Sequence, residues 1–113
     1  MSVKWEEKRF MLDRSKEATL PLVKVRELLT LNHVVFLDKR RKNFETMKRL
    51  GFDTDDVLKE VRKLKEGDFV GCDVQGELPD ADVYIKTIRN IEMYVKFRLK
   101  KPNLLLISFH ESR

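Results

Sequence analysis

The chain has few of the residues that mark secreted, zinc-binding or membrane-spanning proteins. Its single cysteine, Cys72, excludes an internal disulfide and a zinc site built from cysteines. No run approaches the roughly 18 apolar residues of a membrane span. The opening stretch, MSVKWEEKRF, lacks the apolar centre of a signal peptide. These absences predict a cytoplasmic protein with no membrane partner, and the lack of an acidic cluster predicts no metal or other cofactor.

Internal repeats, low-complexity tracts and linkers are also lacking. The 113 residues are 42% hydrophobic and 38% charged, which is typical of one soluble globular domain with a modest core. Residues 1–18 are charge-rich and weakly patterned, and we expect an N-terminal extension there, either a tail or a loosely docked helix. Residues 19–113 are predicted to form the single domain.

Charge of either sign is distributed unevenly along the chain. Lys and Arg number 24 against 19 Asp and Glu, for a net charge of +5. The stretch 68–82 has acids and no base, whereas 86–113 has seven bases against two acids. This segregation predicts an anionic partner for the C-terminal third, with a merely solvated basic edge as the alternative.

Apolar stripes at helical spacing predict helices in the first part of the chain. The predicted helices cover 19–32, 39–50 and a segment that starts at Asp53 or Thr54 and ends before KEGD. In the second helix Phe44 and Met47 are expected to face inwards, with Gly51 as the C-cap.

Beyond Gly67 the apolar period changes to two, which is the period of a strand with one buried face. Strands are predicted at Val34–Leu37, irregularly within FVGCDVQGELPD, and at DVYIKTI, IEMYVKFRL and LLLISFH. Helices first and strands last predict an α+β domain, with two to three N-terminal helices packed on one face of a mainly antiparallel sheet.

The last hairpin has a predicted register. Taking Lys101–Asn103 as its loop pairs apolar residues on one face: Leu99 with Leu105, Phe97 with Ile107, and Val95 with Phe109. The other face pairs Arg98 with Leu106, Lys96 with Ser108, and Tyr94 with His110. We expect a tail or loop to cover Leu104 and Leu106. The preceding strand is expected to add Tyr84 and Lys86 to this polar face.

A basic sheet face with aromatic side chains is suited to single-stranded RNA, because cations hold phosphates and rings stack on bases. With a histidine present, the RNA 2′-hydroxyl is a possible nucleophile toward its own 3′ phosphate. His110 would supply acid or base catalysis, and Lys96, Arg98 and Lys86 would stabilise the developing charge. Further candidates for RNA binding are Tyr84, Arg89, Lys100 and Lys101. The residues alone leave plain RNA binding without cleavage open.

Three stretches give the chain a family resemblance: LPLVKVRELLTLNHV, LGFDTDDVLKEVRKLKEGDFV, and the series DVYIKTI, EMYVKFRL and LLLISFHES. From about Leu20 to Glu111 the sequence resembles the MqsR toxins of bacterial toxin–antitoxin modules. The resemblance implies a RelE-like α+β fold and a metal-independent endoribonuclease that cuts mRNA without the ribosome. It also implies neutralisation by a cognate antitoxin protein.

Site residues follow from the same resemblance. The active-site tyrosine of the family falls on Tyr94, and its C-terminal lysine falls on His110, which keeps a protonatable group. A second family lysine meets Gly71, and a glutamine meets Ala81. Lys86, on an adjacent strand, is then the candidate to replace the missing lysine. A non-catalytic RNA-binding domain, or a module that binds only an acidic antitoxin, remains the alternative.

Overall fold

The computed structural model describes residues 12–74 and 80–112. Its helices, and its strands from Val34 onward, follow the predicted order, whereas the strand at Leu12–Asp13 was not predicted. The elements are β1 (Leu12–Asp13), α1 (Leu22–Thr30), β2 (Val34–Phe36), α2 (Arg41–Leu50), α3 (Thr54–Arg62), a 3₁₀ turn (Glu66–Asp68), β3 (Phe69–Asp73), β4 (Ala81–Ile88), β5 (Ile91–Lys100) and β6 (Asn103–Glu111).

The strands form one six-stranded sheet in the order β1-β3-β4-β5-β6-β2. Every pairing is antiparallel except the parallel pairing of β2 with β6 at the edge. The three helices bury their apolar stripes against one face, where Val25, Val57 and Val61 join strand residues such as Val95 and Phe97 in the main core. The predicted α+β fold is therefore confirmed. We refer to the face that the helices cover as the covered face and to the other as the open face.

Two helices have an end that is set by a capping residue of the kind that the sequence predicts. Asp53 and Asp56 form a reciprocal capping box at the start of α3, and Gly51 ends α2 in the left-handed conformation with φ of 70°. The first helix begins later than predicted, at Leu22, because Thr19 donates its N–H and hydroxyl to Asp82 instead of capping the helix. The inward orientation predicted for Phe44 is wrong, since its side chain is exposed.

The register of the last hairpin is confirmed in its outer half and shifted near the turn. Tyr94 pairs with His110, Val95 with Phe109 and Lys96 with Ser108, as predicted. Nearer the turn, however, the pairs are Phe97 with Leu106, Arg98 with Leu105, Leu99 with Leu104, and Lys100 with Asn103. A bulge that leaves Ile107 as the extra residue causes the shift.

The bulge decides which leucines of β6 are buried on which face. Leu104 and Leu106 belong to the main core on the covered face, so they need no tail or loop to shield them, contrary to prediction. Leu105 and Ile107 instead pack with Ala81 and Leu37 in a second small cluster. An extra residue in β6 thus lets apolar side chains bury on both faces.

The prediction that Tyr84 and Lys86 share a face with Tyr94 is wrong. Tyr84 pairs with Val95 and Lys86 pairs with Met93, so both lie on the covered face. Tyr84 is buried there and stacks on Phe97. Strand β4 has apolar side chains on both faces, so its alternation does not identify the face that the helices cover.

The N-terminal segment 12–20 crosses the β3–β4 end of the sheet, and we call it the strap. Strand β1 pairs with β3, and the buried Asp82 accepts hydrogen bonds from Thr19 and from the backbone N–H of Leu20. The described part of the predicted extension is therefore docked as a strand and a bonded loop. Residues 1–11, 75–79 and 113 lie outside the described residues.

Candidate active site

A cleft of about 330 Å³ opens on the open face of the sheet, over β5 and β6. Its walls come from the sheet, from Lys42 on α2 and from two residues of the strap, Leu12 and Arg14. The residues that β4, β5 and β6 contribute are Ile85, Glu92, Tyr94, Lys96, Ser108 and His110, and Ser112 follows directly after β6. The cleft therefore contains the polar cross-strand pairs that the sequence predicts.

Tyr94 and His110 form the centre of this cleft. They are cross-strand partners, and their rings stack with centroids 5.4 Å apart and planes inclined by 17°. Both rings stand on regular strands, so their mutual position is set by backbone pairing rather than by a loop. A phenol and an imidazole are thus held side by side in one cleft.

The hydrogen bonding of His110 selects one tautomer of its ring. Nδ1 lies 2.7 Å from the backbone carbonyl oxygen of Glu111. A carbonyl only accepts hydrogen bonds, so Nδ1 carries the proton and donates it. In the neutral ring Nε2 is then unprotonated. His110 is therefore positioned to accept a proton at Nε2.

The surroundings of His110 favour its neutral form. Burial lowers the pKa of the imidazole below its ordinary value, and the positive charges of Lys42, Lys96 and Arg40 act in the same direction. The hydrogen bond with Glu111 opposes this pKa shift in part. The ring is consequently neutral at pH 7 and available as a base.

Tyr94 stays protonated across the physiological pH range. Burial, and secondarily the negative charge of Asp73, raises the pKa of its phenol to about 12. The phenol therefore acts as a hydrogen-bond donor toward a bound group. A neutral imidazole base and a protonated phenol are the two protonation states that proton transfer in opposite directions requires.

Lys96 supplies positive charge next to this pair. Its Nζ donates to Asp73 Oδ2 over 3.0 Å, and the two side chains are 15% and 13% exposed. The carboxylate fixes the lysine over the sheet, whereas an ammonium group has three donors. One contact with Asp73 therefore leaves donors on Lys96 for an anionic ligand.

The position of β6 depends on a buried asparagine that the sequence reasoning missed. Asn43 on α2 is buried, and its Nδ2 donates to the carbonyl oxygens of Leu37 and Ile107, both over 2.9 Å. The N–H of Phe109 donates to its Oδ1 over 2.8 Å. Strand β2 ends at Phe36, and Asn43 takes the place of a further strand along the edge of β6. The available signal in the sequence was that Asn43, a polar residue, lies at helical spacing with the apolar residues Met47 and Leu50.

The remaining predicted residues are dispersed around the fold. Arg98 lies on the open face, paired with Leu105, next along β5 from Lys96. Lys100 and Lys101 line a separate groove with Val35 at the β5–β6 turn, about 13 Å along the strand from Lys96.

Two predicted basic residues are engaged away from the cleft. Lys86 forms an ion pair with Glu60 of α3 on the covered face, with Nζ and Oε1 3.4 Å apart. Arg89, in the β4–β5 turn, lies 5.1 Å over the Phe52 ring and donates to the Leu50 carbonyl oxygen. These contacts give both residues a structural role, and the predicted replacement of a cleft lysine by Lys86 is wrong in its placement.

Within residues 12–74 and 80–112, no three histidine, cysteine, aspartate or glutamate side chains are grouped as metal ligands would be. Across the same residues, no helix has the length and apolar character needed to cross a bilayer.

The chain matches a known protein family. A family model described as "Motility quorum-sensing regulator, toxin of MqsA" matches residues 17–111. No curated protein matches the chain. The family match includes the cleft residues from Lys42 to His110, begins after Leu12 and Arg14, and ends before Ser112.

Proposed function

The chain belongs to the MqsR toxin family of toxin–antitoxin modules, and from this premise we propose that it is an endoribonuclease that cleaves mRNA. As a member of this family it has a cognate antitoxin as a partner. The proposed reaction needs neither a metal nor another cofactor. It inhibits translation, and hence growth, by destroying the message.

The observation that carries the proposal is the stacked pair of Tyr94 and His110 beside Lys96. One ring nitrogen of His110 is occupied by the Glu111 carbonyl, which leaves the other as a base. The phenol keeps its proton, and the ammonium group supplies positive charge. Transfer of a phosphoryl group from the 5′ oxygen to the 2′ oxygen of RNA requires a base, a proton donor and a positive charge, and the three side chains supply one each.

In the proposed mechanism, His110 Nε2 takes the proton of the RNA 2′-hydroxyl while that oxygen attacks the adjacent phosphorus. The bond from phosphorus to the 5′ oxygen breaks, and Tyr94 donates a proton to that leaving oxygen. Lys96 neutralises part of the charge that develops on the phosphate oxygens. The products are a 2′,3′-cyclic phosphate and a free 5′-hydroxyl, and a proton returned to Tyr94 from His110 through water restores both groups.

Other basic residues of the open face are proposed to hold the rest of the RNA. Arg98 follows Lys96 on this face, and Lys100 and Lys101 lie farther along the same hairpin. A strand of RNA that leaves the cleft along β5 would pass these cations, which need only track its phosphates. Tyr84, Lys86 and Arg89 have no part in this proposal, because their contacts lie on the covered face.

The chain offers matched controls for the test, because it has two histidines and two tyrosines. The assay incubates purified protein with end-labelled mRNA and no ribosomes in EDTA. His110→Ala should reduce cleavage by about two orders of magnitude, and Tyr94→Phe should also reduce it substantially. His33→Ala alters an exposed histidine, and Tyr84→Phe alters the covered face, so both should cleave like the wild type.

Two results would contradict the proposal. Intact RNA that still binds would support a non-catalytic RNA-binding domain of the same fold. Equal losses in His110→Ala and His33→Ala would show that the substitutions act through folding rather than through the cleft. A cyclic phosphate at the cleaved 3′ end, detected by its resistance to a phosphatase until acid treatment opens the ring, would support attack by the 2′-hydroxyl.

A further inference from the structure

We infer that Arg14, carried by the strap, is a phosphate-binding residue of the cleft. The inference rests on the proposed function, which makes the bound ligand a single strand of RNA. Arg14 precedes the region that the family match covers, yet it lines the same cleft as Tyr94, Lys96 and His110, and it also borders a second groove beside the strap. An N-terminal segment thereby adds a cation to a site otherwise built from the sheet and from Lys42 of α2.

The strap is held in place by contacts at several points, so the position of Arg14 is determined by the fold. Before Arg14, β1 pairs with β3. Around Arg14 itself, the backbone N–H of Ser15 donates a hydrogen bond to the Asp13 carboxylate over 3.0 Å, and this bond closes a tight turn. Farther along, the buried Asp82 accepts hydrogen bonds from Thr19 and from the backbone N–H of Leu20.

Gly71 provides independent support for the close approach of the strap. A Cβ added at Gly71 would lie 2.9 Å from the Asp13 carbonyl oxygen and 3.3 Å from the Arg14 Cα. The φ of this glycine, 148°, is also one that other residues rarely adopt. The absence of a side chain at Gly71 therefore lets the strap pass directly over β3. The space that a side chain at this position would need is occupied by the backbone that carries Arg14.

The chemistry of Arg14 suits a phosphate ligand. Its side chain is exposed, and among residues 12–74 and 80–112 it takes part in none of the hydrogen bonds or ion pairs. A guanidinium group presents several donors in a plane and binds phosphate oxygens in pairs. Lys96 next to it is already in contact with Asp73. Arg14 can therefore bind an RNA phosphate without giving up a protein partner.

The experiment compares Arg14→Ala, Arg14→Lys and the control Lys16→Ala, which removes the same charge from the same strap. The RNA affinity of each is measured at several salt concentrations, together with kcat and KM for cleavage. Arg14→Ala should weaken binding about tenfold and raise KM accordingly, with little change in kcat. The slope of log affinity against log salt should fall by about 0.7, the value for one phosphate on a single strand.

The control and the conservative variant should behave differently. Lys16→Ala should keep the affinity and the slope of the wild type within about twofold, because Lys16 is directed to Asp80. Arg14→Lys should recover most of the slope, since the charge remains, and only part of the affinity. Gly71→Ala should also weaken RNA binding, because it displaces the strap. In a protein that already carries Arg14→Ala, the same substitution should weaken RNA binding much less.

The outcomes separate this inference from the proposed function. Arg14→Ala with the affinity and slope of the wild type would overturn the inference while cleavage by the wild type stands. A wild type that binds RNA without cutting it would overturn the proposed nuclease, and the affinity and slope would still decide the role of Arg14. A wild type that neither binds nor cuts RNA would overturn both.

Discussion

Replacing Asn43 tests how strand β6, which carries His110, is held in place. This buried side chain makes three hydrogen bonds, of 2.9, 2.9 and 2.8 Å, all to backbone groups. Each bond contributes about 1 kcal/mol to the free energy of unfolding, and a partner left buried without a bond costs about 1–3 kcal/mol. Asn43→Ala is therefore expected to destabilise the protein by about 3–5 kcal/mol. That is a large fraction of the stability of a small domain.

The chemistry of the amide gives this prediction a second part. An aspartate at position 43 would keep the acceptor for the Phe109 N–H but would direct a negative oxygen toward the carbonyl oxygens of Leu37 and Ile107. At pH 7, Asn43→Asp should therefore be at least as destabilising as Asn43→Ala, although it is nearly the same size. Lowering the pH protonates the carboxyl group and restores one hydrogen-bond donor. The difference in stability between Asn43→Asp and the wild type should therefore become smaller at low pH.

Urea denaturation followed by far-UV circular dichroism measures both effects. With a slope of about 1.5 kcal/mol per molar urea, the midpoint of Asn43→Ala should fall by about 2 M or more. Lys48→Ala, at an exposed position of the same helix, is the control and should shift the midpoint by less than about 0.3 M. A shift below about 0.5 M for Asn43→Ala would refute the account of how β6 is anchored.

Three further predictions concern a helix end, a displaced lysine and the proposed base. Gly51→Ala should destabilise the protein by about 1 kcal/mol through its left-handed φ alone, whereas Gly67→Ala, with open space around it and no such φ, should stay within about 0.5 kcal/mol in the same denaturation assay. Lys86→Ala should cleave RNA within about twofold of the wild-type rate, because its ion pair lies on the covered face; a tenfold loss would contradict that placement. Because the pKa of His110 is lowered, kcat/KM for RNA cleavage should stay level as the pH falls from 8 to 6.5 and should decline only below pH 6.5. Lys42→Gln removes a positive charge that lowers this pKa, so in that variant the decline should begin at a higher pH. An unchanged pH profile in Lys42→Gln would argue against His110 as the base.

The sequence by itself determined the helices, the strands from β2 onward and the pairing of Tyr94 with His110. Helix α3 was predictable because its capping box joins Asp53 and Asp56, three residues apart, and Gly51 ends α2 through its own backbone freedom. The pairing of Tyr94 with His110 was predictable because strict alternation in β5 permits one face to be buried. These signals lie within short stretches of the sequence, so they can be identified without knowledge of the tertiary contacts.

Tertiary structure alone decided the surroundings of that pair. Strand β4 has Ile85 on the open face and Tyr84 on the covered face, and alternation cannot choose between faces that are both partly apolar. The carbonyl oxygen of Ile107, the extra residue of the bulge, accepts a hydrogen bond from Asn43, which is distant in sequence. Gly71 leaves room for the backbone of Asp13 and Arg14 to approach β3 closely. Each of these features depends on contact between segments far apart along the chain, and spacing within one segment carries no information about such contacts.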